Sequence, residues 1–129
     1  MRQIRALAHN MKPTIHWTED WEIGIDIRRE SEISKQVLDL FVEFWSDEGI
    51  KEKSKSTLNR YRAALTSLGS YVVEQSTSEE GSGKTAKELL LNSIDEEGGP
   101  FLFQDEKTWQ NDFDMVCRKL HKYYARKKC

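Results

Sequence analysis

Gly81-Ser82-Gly83-Lys84-Thr85 has the order of the tail of a phosphate-binding P-loop, whose backbone N–H groups and lysine cradle a nucleotide. Such a loop also needs a glycine five positions before Gly83, where this chain has Ser78, and a buried strand leading in, where an amphipathic stretch stands instead. Glu79 and Glu80 put negative charge where the phosphates would lie. The segment is expected to be a flexible linker running into a capped helix, with no nucleotide. Cys117 and His121 are one helical turn apart, a spacing at which two ligands share a metal. Zinc sites normally carry a second close pair, and His9, His16 and Cys129 are scattered. Cys117 also falls on an apolar stripe, which argues against both a ligand and a Cys–His nucleophile; a reactive thiolate needs partial exposure and an electropositive setting. Glu19, Asp20, Glu22 and Asp26 read as a solvated acidic face. No enzyme, no cofactor and no metal is expected.

The remaining chemistry is cationic. Lys119-Leu120-His121-Lys122-Tyr123-Tyr124-Ala125-Arg126-Lys127-Lys128 interleaves bases with aromatics, a texture suited to phosphate contact with some stacking. The other basic segment, Lys51 to Arg62, contributes Lys53, Lys55, Asn59, Arg60 and Arg62. The formal net charge of −2 conceals strong segregation: +4 over 51–62 and +6 over 118–128, against −7 over 13–50 and −8 over 63–117. A near-neutral total argues against indiscriminate nucleic-acid binding and leaves room for a basic patch opposite an acidic body. Charge runs that merely solvate a surface remain the competing reading.

Amphipathic helices must position these groups. In Ser54–Gln75, Leu58, Tyr61, Leu65, Leu68 and Val72 recur at three- and four-residue spacing and form one stripe. The opposite face carries Lys55, Asn59, Arg60, Arg62, Thr66 and Ser67. Gly69 interrupts this helix at a cost of about 1 kcal/mol against Ala, which suggests a close helix–helix approach. An earlier helix is expected over Ser31–Glu48, with Ile33, Val37, Leu40, Phe41, Phe44 and Trp45 facing the core, Ser31 or Ser34 as cap and Gly49 as stop. Thr85 and Glu88 form a capping box ahead of Leu89, Leu90 and Leu91. Gly98-Gly99-Pro100 enforces a turn, and Phe101-Leu102-Phe103 reads as an apolar plug. The last helix is expected over Asp105–Arg126, with Trp109, Phe113, Val116, Cys117, Leu120 and Tyr124 as its stripe.

Trp21-Glu22-Ile23-Gly24-Ile25-Asp26-Ile27 alternates as a strand does. With no partner strand evident, it is expected to be an extended arm or a dimerisation edge. The whole is expected to be an all-α, four-helix orthogonal bundle over 29–126, with a flexible lead-in and a short extended or β-like N-terminal arm over 1–28. Met11 is an alternative start. No segment is apolar enough to span a bilayer, the N-terminal residues lack the apolar run expected of a signal peptide, and two scattered cysteines suit a reducing cytoplasm.

The helix SKSTLNRYRAALTSLGSYVVEQ resembles the second helix of the N-terminal core-binding domain of tyrosine recombinases of the phage-integrase type, and the preceding VLDLFVEFW fits the same layout. The resemblance implies a small helical bundle that clamps duplex DNA. The wider chain, through STLNRYRAALTSLGSYVVEQ, ELLLNSIDEEGGPFLF and FDMVCRKLHKYY, is similar to a group of short bacterial proteins, a likeness that implies no activity. There are departures. Core-binding domains are clearly basic and this chain is not; it also lacks the His-x-x-Arg of a recombinase catalytic domain, so recombination is not expected of it. The expected function is non-catalytic DNA binding, with Lys53, Lys55, Asn59, Arg60, Arg62, Lys119, Lys122 and Arg126 at the DNA. The alternative is a protein-interaction or homodimerisation module, with Trp17, Trp21, Ile23 and Ile25 as its contact surface.

Overall fold

The computed structural model describes residues 12–127. Four helices carry the fold: α1 (Ile27–Asp47), α2 (Lys55–Ser76), α3 (Ala86–Ser93) and α4 (Lys107–Lys127). A 3-10 turn at Ile15–Asp20 precedes them, and a shorter one at Ile50–Glu52 joins α1 to α2. No strand forms among the described residues, so the molecule is an all-α bundle. α2 packs along both α1 and α4, and α3 closes against α1 and α2. No helix among the described residues is long and apolar enough to cross a membrane.

The stripes meet in one core. Leu58, Tyr61, Leu65, Leu68 and Val72 of α2 are buried against Ile33, Val37, Phe41, Phe44 and Trp45 of α1 and Phe113, Val116, Cys117, Leu120 and Tyr124 of α4. Ser54 Oγ accepts from the Thr57 N–H and starts α2. The capping box of α3 forms as expected: Thr85 Oγ1 accepts from Glu88 N–H at 3.1 Å, and Glu88 Oε1 accepts from Thr85 N–H at 3.2 Å. Gly49 adopts a left-handed φ of 61° just after α1, where a residue with a Cβ would be strained.

The N-terminal arm differs from expectation. Without a neighbouring strand, the amides of 23–26 need another acceptor. Glu30, fully buried on the first turn of α1, supplies it: its carboxylate accepts from the N–H groups of Ile23, Gly24 and Asp26. Gly24 turns at φ 85°, which an extended strand does not allow. α1 therefore starts at Ile27, capped by Asp26 through the Arg29 N–H at 3.1 Å, and neither Ser31 nor Ser34 is the cap. Trp17 and Trp21 are core residues, edge-on to Trp45 at 6.1 Å and to Phe41 at 6.0 Å. Residues 12–28 are therefore part of the bundle domain, whereas 1–11, where most of the lead-in was placed, lie outside the described residues.

Two further expectations change. The stretch after α2, which includes the expected flexible linker at Gly81–Thr85, is tied down by Arg29, whose guanidinium donates to the carbonyls of Ser76 (3.3 Å), Gly81 (3.2 Å) and Lys84 (2.7 Å). The P-loop-like stretch thus turns carbonyls toward a cation, the opposite polarity to a phosphate cradle. In the Phe101–Phe103 plug, Phe101 is 66% exposed and only Leu102 and Phe103 pack inward. The organiser of that turn is Gln110, whose Oε1 accepts from the N–H groups of Leu102 and Phe103 and whose Nε2 donates to the Pro100 carbonyl and to Asp114.

Candidate functional site

Because α2 and α4 pack together, two basic segments far apart in sequence meet. The capped start of α2 sets down Lys53 and Tyr61, and the second half of α4 sets down Lys119, Lys122 and Arg126. Together with Phe44, Ile50 and Glu48 they line a cup of about 150 Å³. Packed aromatics lie beneath its floor. Phe44 stacks on Tyr61 with centroids 6.3 Å apart and meets Tyr123 at 5.5 Å. Lys53 Nζ stands 5.8 Å from the Tyr61 ring centroid, a cation–π contact that holds it over the floor.

The charge balance of the cup is positive. Arg126 is paired with Glu48 at 3.0 Å. Among the described residues Lys53, Lys119 and Lys122 have no carboxylate within ion-pair distance. Lys127 is diverted from the cup to the acidic end of α1, 3.2 Å from Glu43 and 3.8 Å from Asp47; its bonds to Glu43 and Tyr123 hold its ammonium above the ordinary pKa. Burial, with the Glu48 carboxylate behind it, pushes the Tyr61 hydroxyl up. Burial and the hydrogen bond to Asp47 push Tyr123 up to about 12. Both phenols are protonated at neutral pH; Tyr123 gives its proton to Asp47, so the cup itself offers its cations and the Tyr61 hydroxyl, with Glu48 as its one carboxylate. That combination suits an anion of phosphate type.

The other expected DNA contacts are not gathered there. Asn59 and Arg60 line a separate groove with Trp109, where Arg60 stands 3.9 Å from Asp112. Lys55 and Arg62 are exposed and line neither hollow. Of the expected interaction residues, Trp17 and Trp21 are unavailable because they are buried. Ile23 and Ile25 are exposed, the latter 70%, and Ile27 joins them. Trp109 was placed in the core by its stripe position but is 58% exposed at the first turn of α4. Burial, with Asp114 next, pushes the Cys117 thiol far above its ordinary value, which leaves it inert as ligand or nucleophile. Among the described residues no cluster of His, Cys, Asp and Glu is placed to hold a metal.

Fold and cup together define an all-α bundle with a cationic hollow on the seam of two helices. Compared with protein-family models, with curated proteins and with solved structures, the chain matches none.

Proposed function

We propose that the chain is a non-catalytic DNA-binding helical domain that grips the phosphate backbone through Lys53, Lys119, Lys122 and Arg126. The observation that carries this reading is the convergence of those four cations, from segments more than sixty residues apart, on one cup opposed by Glu48 alone. The likeness of α2 to an integrase core-binding helix supports the same reading. Phosphate contacts release counterions, so affinity falls with salt at about 0.9 log units per contact per decade. Four contacts give a log–log slope of about −3.6 for duplex DNA. The double variant Lys119→Ala, Lys122→Ala is expected to make that slope shallower by about 2. Both lysines are exposed, so the helical circular dichroism should be unchanged. No duplex binding even at low salt would sink the reading.

A second reading is favoured by one observation: Ile23 and Ile25 stand in solvent on a loop whose amides Glu30 ties down, and Ile27 is exposed at the first residue of α1. A preorganised apolar loop costs little entropy to dock on a protein partner, a second copy of the chain being the simplest. Deleting the whole arm is not a clean test, since it removes Trp21 from the core. The surface variant Ile23→Ser, Ile25→Ser is expected to convert a dimer into a monomer by light scattering. Wild-type protein that already has the monomer mass at high concentration would rule the homodimer out.

A further inference from the structure

We infer that the groove between α2 and α4 accepts an unpaired base, so that the chain holds single-stranded DNA in preference to duplex; this rests on the DNA reading above. The groove has a volume of about 430 Å³ and opens beside the first turns of α4. Phe103 and Trp109 form its apolar wall, Ala63 leaves room on α2, and Asn59, Arg60 and Asp112 form its polar rim. Trp109 sets it apart. Of the four tryptophans in the chain, Trp17, Trp21 and Trp45 are buried, while Trp109 keeps more than half its surface in water. It is not loose: it meets Phe103 at 84° with centroids 6.0 Å apart, and Phe103 in turn leans on Phe113 at 5.7 Å. A large aromatic held rigidly in solvent is a stacking platform, and every base has a face to lay on it. The Asn59 amide, the Arg60 guanidinium and the Asp112 carboxylate offer donors and acceptors for base edges.

Continuity with the cup selects a DNA strand over an apolar peptide as the occupant. Asp112, Lys119 and Arg126 recur every seven residues, so they lie on one row of α4. Trp109 precedes this row by three residues, and Lys122 follows Lys119 by three. At 1.5 Å per residue, Lys119 and Lys122 lie about 15–20 Å along the helix from Trp109. A strand with one base on Trp109 thus brings its neighbouring phosphates to the cup within a site of a few nucleotides. A duplex presents phosphates to the cup equally well, but its bases stay stacked on one another and cannot fill the groove.

The test uses the whole protein and three probes: an oligothymidylate of about ten nucleotides, an abasic strand of the same length, and a duplex. The oligothymidylate is expected to shield Trp109 from quenching by acrylamide, a neutral quencher that does not compete for the cup. It is expected to bind about 5- to 150-fold tighter than the abasic strand. Trp109→Ala should erase that advantage and leave abasic and duplex binding unchanged, while Trp109→Phe should retain most of it. If Trp109 stays accessible to acrylamide at saturating oligothymidylate, or if Trp109→Ala binds as wild type does, the base inference is overturned. Duplex binding without any preference for the oligothymidylate overturns the base inference and leaves the DNA reading standing. No binding of any probe at low salt overturns both.

Discussion

Gly69→Ala is expected to destabilise the protein by about 2–4 kcal/mol, although the same substitution in a free helix would stabilise it by about 1 kcal/mol. A Cβ built at Gly69 would lie 2.2–2.6 Å from three atoms of the Trp21 indole. That ring is held in place by its neighbours. It is 1% exposed, it meets Phe41 edge-on, and its Nε1–H donates to the Thr66 carbonyl at 2.9 Å. A methyl at position 69 either displaces the ring or bends α2 away from it, and a tightly packed interior yields to neither cheaply. The assignment is checked by a double-mutant cycle in urea. Trp21→Ala alone should cost about 3–5 kcal/mol. Adding Gly69→Ala to it should cost nothing and can recover the helix propensity, because the cavity now holds the methyl. A coupling of about 3 kcal/mol is the signature of this contact; costs that simply add would show that Gly69 serves some other purpose.

This pair also shows where sequence reasoning stops. The 3.6-residue period exposes which face of α2 is buried, because every turn repeats the same requirement. It marks Gly69 as a close approach, but what approaches is not the expected helix; it is the Trp21 ring, 48 residues away on a segment that alternates like a strand. Alternation reports side-chain polarity only; whether a strand forms depends on a partner for its amides, and here a glutamate carboxylate takes that part. The cup follows the same logic. Both of its basic segments are visible in the charge pattern, but their meeting depends on α2 and α4 packing side by side. Arg60 and Arg62 looked like one basic face, yet two residues apart on a helix they point about 200° away from each other. Only Arg60 reaches the α2–α4 seam, and there it faces Asp112 at 3.9 Å, with both side chains still open to water. Trp109 fits the periodic stripe but sits on the first turn of α4, beyond the edge of the core it should have joined. Gln110, which sets the turn that places Phe103 against it, carries no periodic signal at all.

Glu30→Gln should cost about 2–4 kcal/mol and change how stability depends on pH. The carboxylate accepts from Ile23 N–H at 2.5 Å, Gly24 N–H at 3.0 Å and Asp26 N–H at 2.7 Å, on a side chain with no solvent exposure. Hydrogen bonds to a charged group contribute about 1.5–3 kcal/mol each, and an amide NH2 in place of one oxygen would face these donors with a donor. Burial alone would raise the Glu30 pKa; the backbone N–H groups of Asp26, Gly24, Ile23 and Ile25 outweigh it and hold the pKa below the ordinary glutamate value of 4.5. A carboxyl depressed in the folded state contributes stability that is complete above its unfolded pKa and is lost as pH falls through the folded one. Wild-type stability should therefore decline below about pH 4.5, and the gap between wild type and Glu30→Gln should close as the acid deepens. Urea midpoints measured for both proteins across that window decide it: parallel curves would mean that Glu30 is already neutral in the fold. The same variant tests what the bonds are for. With an amide in place of the carboxylate, the 22–26 loop keeps one neutral acceptor oxygen and loses the other, while Trp21 stays anchored to α2. Amide exchange should then rise at Ile23, Gly24 and Asp26 and stay slow along α2, and any partner that docks on Ile23 and Ile25 should bind more weakly by the entropy of ordering that loop.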